Sequence, residues 1–370
     1  MSENKNINYT FKILYALGII FVVAGHCNGG GFSIFYEFLP IYICFNLGLF
    51  MFSSGYFYNS ENEYNIKKYI VKKLKHLILP LYLWNIFYAG LIFVIKNFDF
   101  FPYISVNLKT IFIDPILSGG QFALNLGGWF IIPLFVIHII NILVRKIFML
   151  CKIRINEIIY FIISLIMGLL CVYISNRGFD ADWFPILGRV LYFIPFYSLG
   201  ILYRKYEKYD RLPSILYFSI VMSIIIFIMF LENGIPGVSP AECKFNNLNP
   251  LLPFVLGFLG IAFWLRIAKI LEPAIGKNKY INIIADNTYS IMINRLLGFM
   301  IIKTLFACIS KYFGYFNNFD MYEYKTNVLY CYFPNIFSQL LIIYLIAGIV
   351  FSVILQLIIN KLIKNFIHKY

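Results

Sequence analysis

The sequence has little charge, and least of all negative charge. Only 13% of its 370 residues are charged, and 17 Asp and Glu stand against 31 Lys and Arg, a formal net charge of +14. Soluble domains carry about a quarter charged residues, so an ordinary water-exposed fold is excluded. Cysteine is also scarce: there are seven, with no CxxC pair and no metal-ligand spacing. That removes zinc-finger and thioredoxin-like readings, and no metal is expected. No internal repeat is evident and no linker leads to a second domain, so residues 1–370 read as one domain.

Apolar residues dominate what remains. They make up 61% of the chain, and the mean hydropathy is +0.78. A spanning helix needs about 20 largely apolar residues. Ten windows come close to that length, at 11–27, 34–57, 77–95, 129–149, 157–175, 184–203, 212–231, 250–268, 283–308 and 335–360. Backbone polar groups cannot stay unpaired in lipid, so these windows predict helices. A barrel would show short alternating segments, which the continuous Ile, Leu and Phe runs exclude. The expected fold is an all-α polytopic transmembrane bundle of about ten spans.

The basic residues orient that bundle. Of the 31 Lys and Arg, 22 fall in the N-terminal tail, in the loops after spans two, four, six and eight, and at the C-terminus. The opposite loops hold six: Lys96, Lys109, Arg177, Lys244, Lys311 and Lys325. Basic loops are retained in the cytoplasm, so both termini are expected there, in a multi-pass protein of the cell (plasma or inner) membrane. The positive charge is thus a topology signal, and its dispersal between helices argues against nucleic acid as a partner. Cys44, Cys151, Cys171 and Cys308 lie in or beside spans and read as packing residues. Cys243 and Cys331 fall in outer loops, where a disulfide is chemically allowed. AGHC is not read as a lipoprotein cleavage site, because bulky His26 precedes Cys27, and the first helix is expected to stay uncleaved. The abundance of Asn, Ile, Lys, Phe and Tyr suits an AT-rich, bacterial genome.

Ionisable residues inside spans are expensive and mark candidate sites. His26 ends span one on the outer side among small residues, and imidazole is the side chain suited to take a proton from a hydroxyl near neutral pH. Glu37 opens span two on the same side and is placed to orient it. A hydrogen-bonded interfacial histidine and a solvated carboxylate are the alternatives. Arg189 and Arg295 lie in spans six and nine, where a planar fork can clamp a carboxylate, phosphate or sugar substituent, or form a structural pair. Trp129 can stack on a ligand or belong to an interfacial belt. His138, on a uniformly apolar helix, reads as a satisfied buried group. Residues 98–128 mix Asp, Pro and four glycines, as a loop or re-entrant piece lining a cavity would. Five lysines and a histidine, from Lys67 to His76, precede PLYLW and set a positive cluster beside the polar Ser53, Ser54 and Gly55.

Six pieces then stand in one order: ALGIIFVVAGH, FNLGLFMFSSGY, KKLKHLILPLYLW, GWFIIPLF, RVLYFIPFYSLGIL and DNTYSIMIN, covering residues 16 to 294. Together they resemble the acyltransferase-3 family of integral membrane proteins, commonly carbohydrate O-acetyltransferases. The resemblance implies transfer of an acyl group, usually acetyl, from cytoplasmic acyl-CoA to a hydroxyl of a cell-surface or lipid-linked carbohydrate. It implies that His26 is the catalytic base, and that Lys72, Lys73, Lys75 and His76, where the family is rich in arginine, help hold the CoA phosphates. The family's arginine about eleven residues before the histidine is replaced by Tyr15, with Lys12 a turn earlier. Asn46 and Asn294 stand where related enzymes often carry histidine; asparagine hydrogen-bonds but does not shuttle protons, so both are assigned to substrate binding with Trp129, Arg189 and Arg295. The chain is expected either to complete transfer itself or to hand its product to a separate extracytoplasmic partner. The rival reading is a transporter or flippase for a lipid-linked glycan, which predicts alternating access and no CoA dependence.

Overall fold

The computed structural model describes residues 7–27, 41–119, 121–179, 183–232, 238–245, 248–316, 318–333 and 340–367, with the side chains of 41–46, 366 and 367 left aside. Among them there is no strand, only an isolated bridge between Ser239 and Lys244. The helices are α1 (Tyr9–Ala24), α2 (Ile41–Tyr56), α3 (Ile66–Phe98), α4 (Ala123–Leu150), α5 (Glu157–Asn176), α6 (Phe184–Tyr209), α7 (Ser214–Leu231), α8 (Leu252–Ile275), α9 (Lys279–Asp286), α10 (Thr288–Phe313), α11 (Met321–Thr326) and α12 (Leu341–Ile367). Eight of them, α3 to α8 with α10 and α12, are long and apolar enough to cross a membrane. α1 and α2 have 16 residues each. The chain is an all-α polytopic membrane bundle.

Asparagine starts several helices. The side chains of Asn8, Asn65, Asn156 and Asn278 accept from backbone N–H groups of the first turns of α1, α3, α5 and α9. Each satisfies a donor that the helix itself leaves orphaned. Proline takes the first turn of α6 and α8, where a missing N–H costs nothing.

Two span boundaries differ from the sequence reading, each for a local reason. The lysine segment before PLYLW is expected as a connector, but α3 begins at Ile66 and runs through it, with a π-helical turn at Leu74–Ile78 before Pro80. The Asn65 cap and a buried Tyr69 make that segment an amphipathic helix. The ninth window, expected from 283 to 308, is divided between α9 and α10 at Asn287, whose amide reaches back to the Ile283 carbonyl (2.8 Å).

Burial sorts the bundle into a centre and a lipid-facing ring. The apolar window of α6 is 67% buried, against 17% for α7 and for α12. Lipid gives no hydrophobic drive for helix association, so close backbone approach matters. Glycine supplies it: a Cβ at Gly55 of α2 would overlap the Tyr197 carbonyl of α6, and one at Gly200 of α6 the Phe52 carbonyl of α2. Gly298 does the same for α10 against Ala347 of α12. At the basic end, Arg145 forks onto Glu157 (3.0 and 2.6 Å), and Asp210 pairs with Arg266 and Lys269.

Cys243 and Cys331 are not joined. Cys243 Sγ borders Gly188 and points to the Pro185 carbonyl (3.5 Å), while Cys331 is buried elsewhere, and neither forms a disulfide.

Candidate active site

His26 follows the last turn of α1, its backbone N–H bonded to the Val23 carbonyl (3.1 Å). Its Nδ1 lies 2.6 Å from the Val22 carbonyl, and its Nε2 lies 3.0 Å from Nη2 of Arg295 on α10. A carbonyl can only accept and a guanidinium can only donate. So Nδ1 carries the proton, Nε2 holds a lone pair, and the imidazole is neutral. The backbone of α1 thereby fixes the tautomer in which Nε2 is the basic nitrogen.

Arg295 is 2% exposed. Its Nη1 donates to the Met292 carbonyl, and its Nε, also buried, has no partner among the described residues. Gly127, in the tight 3₁₀ turn that opens α4, lies against Nη1 and the Met292 carbonyl, where any Cβ would overlap both. Beside Arg295, Asn294 accepts from Tyr88 Oη of α3 (2.8 Å) and donates to Ser290 Oγ (3.1 Å), which donates to the Ser352 carbonyl of α12 (2.9 Å). One turn below Tyr88, Asn85 donates to the Ile111 carbonyl (2.7 Å) and accepts from Asn125 (3.1 Å), which also reaches Gln121 Oε1 (3.4 Å). Three hydrogen-bonded groups thus follow one another along α3 and α10: Gln121, Asn125 and Asn85; Tyr88, Asn294 and Ser290; and Arg295 with His26.

The other expected site residues lie elsewhere. Lys72, Lys75 and His76 are exposed on α3, but Lys73 is turned inward, 2.9 Å from His138 Nε2. His138 Nδ1 meets Tyr69 Oη (2.9 Å) and Tyr197 Oη (3.2 Å), so this histidine is the satisfied buried group expected. Spacing explains Lys73: four residues after the buried Tyr69, it shares that face of α3.

Arg189 spends its donors on backbone: Nε and Nη2 go to the Ala241 carbonyl (2.8 and 2.5 Å), and Nη1 to the Ser118 carbonyl (3.0 Å). Its guanidinium lies over the Trp129 ring, 5.3 Å from the centroid, so two expected ligand contacts face each other. Gly119, at φ +67°, makes room for it. Lys12 is paired with Asp286 of α9. Glu37 and the side chain of Asn46 lie outside the described residues.

Sequence reasoning singled out His26 and Arg295 separately and missed that they touch. It also missed Tyr88, Asn85, Asn125 and Gln121. The available signal was polar side chains at helical spacing on an otherwise apolar run, as with Asn85 and Tyr88 in α3.

The acyltransferase-3 family model, described as an acyltransferase domain, matches residues 8–293. The chain belongs to the acyltransferase-3 family. It is therefore a membrane acyltransferase, and His26 stands within the matched region while Asn294 and Arg295 follow directly after it. No curated protein and no solved structure matches the chain.

Proposed function

We propose that this acyltransferase moves an acyl group, commonly acetyl, from cytoplasmic acyl-CoA to a hydroxyl of a cell-surface or lipid-linked carbohydrate. The observation that carries this reading is the convergence of His26 Nε2 and the Arg295 guanidinium, 3.0 Å apart, from two helices of a chain in this family. A neutral imidazole whose Nε2 lone pair faces only a displaceable donor is the base the reaction needs, and a buried guanidinium is the donor that a developing oxyanion needs.

In the proposed sequence, the acceptor hydroxyl takes the place of Arg295 at His26 Nε2. Its oxygen attacks the thioester carbonyl as its proton passes to Nε2. Arg295, released from the ring, donates to the tetrahedral oxyanion. Collapse breaks the carbon–sulfur bond, and the leaving thiolate takes the proton back from His26. The ester and free CoA thiol are formed, and the imidazole is neutral again. Arg295 is buried and His26 half-buried, which limits the water that would hydrolyse the thioester. The CoA phosphates meet Lys72, Lys75 and His76 at the exposed start of α3, with Lys73 held behind them by His138. The proposed placement is a bacterial inner membrane with both termini cytoplasmic, as the basic residues argue.

The test uses the full chain in membranes, labelled acetyl-CoA and cell-envelope glycans. His26→Ala is expected to lower transfer by about 10²–10⁴-fold, the usual contribution of a positioned base. Undiminished transfer by that variant would remove the mechanism, and transfer without CoA dependence would remove the donor.

A further inference from the structure

These polar groups leave three buried valences unused, and they lie in one neighbourhood. Gln121 Nε2, Asn125 Oδ1 and Arg295 Nε are each buried with no hydrogen-bond partner among the described residues. The first two side chains are linked to each other, since Asn125 Nδ2 donates to Gln121 Oε1 (3.4 Å). The third is reached from the same turn, because Gly127 packs on the Arg295 guanidinium and Gly128 faces Gln121 Oε1. Asn125 and Arg295 are 0% and 2% exposed. A buried polar atom without a partner costs about 1–3 kcal/mol. Three around one turn, one of them on the residue that touches His26, are better explained by a ligand than by packing.

We infer that Gln121, Asn125 and Arg295 Nε form the acceptor subsite, a cradle for neighbouring hydroxyls of a sugar ring beside His26. This rests on the acyl-transfer reading above and adds where the acceptor sits. The valences run donor, acceptor, donor. A hydroxyl both donates and accepts, so adjacent hydroxyls of one ring satisfy all three while a further hydroxyl meets Nε2 of His26. The phosphates of the donor are poorly matched, because Asn125 Oδ1 would face an anion.

Gln121→Glu deletes the unpartnered donor and keeps the oxygen that accepts from Asn125, whereas Gln121→Leu deletes the donor together with that 3.4 Å bond. Each is compared with the wild-type chain in nanodiscs, titrating cell-envelope glycans at saturating labelled acetyl-CoA, then acetyl-CoA at saturating glycan. The expected result is a rise of about 10-fold in the half-saturating glycan concentration, with that for acetyl-CoA unchanged and the melting temperature unchanged or raised. Asn125→Ala should act in the same direction. A purely structural role predicts lower melting temperature with both half-saturation values intact, and that outcome overturns the inference. A rise confined to acetyl-CoA overturns it too, assigning the cradle to the donor's amide arm. If the wild-type chain moves no label, the acyl-transfer reading itself has failed, and that outcome is distinct from either of the others.

Discussion

The chemistry of His26 is set by its two neighbours more than by its own ring. The Val22 carbonyl takes the Nδ1 proton, and the guanidinium of Arg295 faces the lone pair of Nε2. Arginine there is not interchangeable with lysine, because the fork reaches His26 and the Met292 carbonyl with separate nitrogens and keeps Nε for a third partner. Arg295→Lys is therefore expected to lower the turnover rate by about 10²-fold or more while leaving half-saturation for acyl-CoA near its original value, read in the labelled-transfer assay. Unchanged turnover would take Arg295 out of the reaction. The identity of these residues was legible in the sequence, since an imidazole and a guanidinium in apolar runs are costly. Their contact was not, because the two lie far apart in the chain and no local pattern links them.

At the scale of elements, packing between α2 and α6 decides whether the bundle closes. Gly55 lies against the Tyr197 backbone, and Gly200 against that of Phe52, so the two helices meet backbone to backbone. Gly55→Ala forces a methyl group into a main-chain carbonyl that cannot rotate away. Overpacking of this kind costs about 1–3 kcal/mol, and the melting temperature of the detergent-solubilised chain should fall accordingly. A variant as stable as the wild type would show that the helices can slide apart at no cost. Helix positions were legible because each span is a long apolar run, several of them opened by a capping asparagine or a first-turn proline. The extension of α3 through the lysines was not, because a basic amphipathic turn and a basic loop have much the same composition. Its outcome is functional: Lys73 turns onto His138 and leaves Lys72, Lys75 and His76 exposed.

For the molecule as a whole, the proposed reaction needs a path from one face to the other. Exposed lysines stand at the start of α3, while His26 stands at the end of α1, which the proposed topology sets at the opposite face. Replacing Lys72 and Lys75 together by alanine should raise half-saturation for acetyl-CoA about 2- to 10-fold at low salt, shrinking as salt is added, with glycan half-saturation unchanged. No change at any ionic strength would place donor binding elsewhere. The sequence by itself determined that this chain is a membrane helix bundle, which way its basic loops bias it, and that His26 is the residue to watch, because hydropathy, charge placement and the cost of burying an imidazole are properties of the chain read in order. Only the tertiary structure decided that Arg295 caps His26, that Arg189 is tied to backbone carbonyls over Trp129, and that Gln121 and Asn125 face the same neighbourhood. Those are contacts between helices whose apolar surfaces look alike in sequence, and which faces meet is settled by glycine close approach and by the pairing of a few buried polar groups.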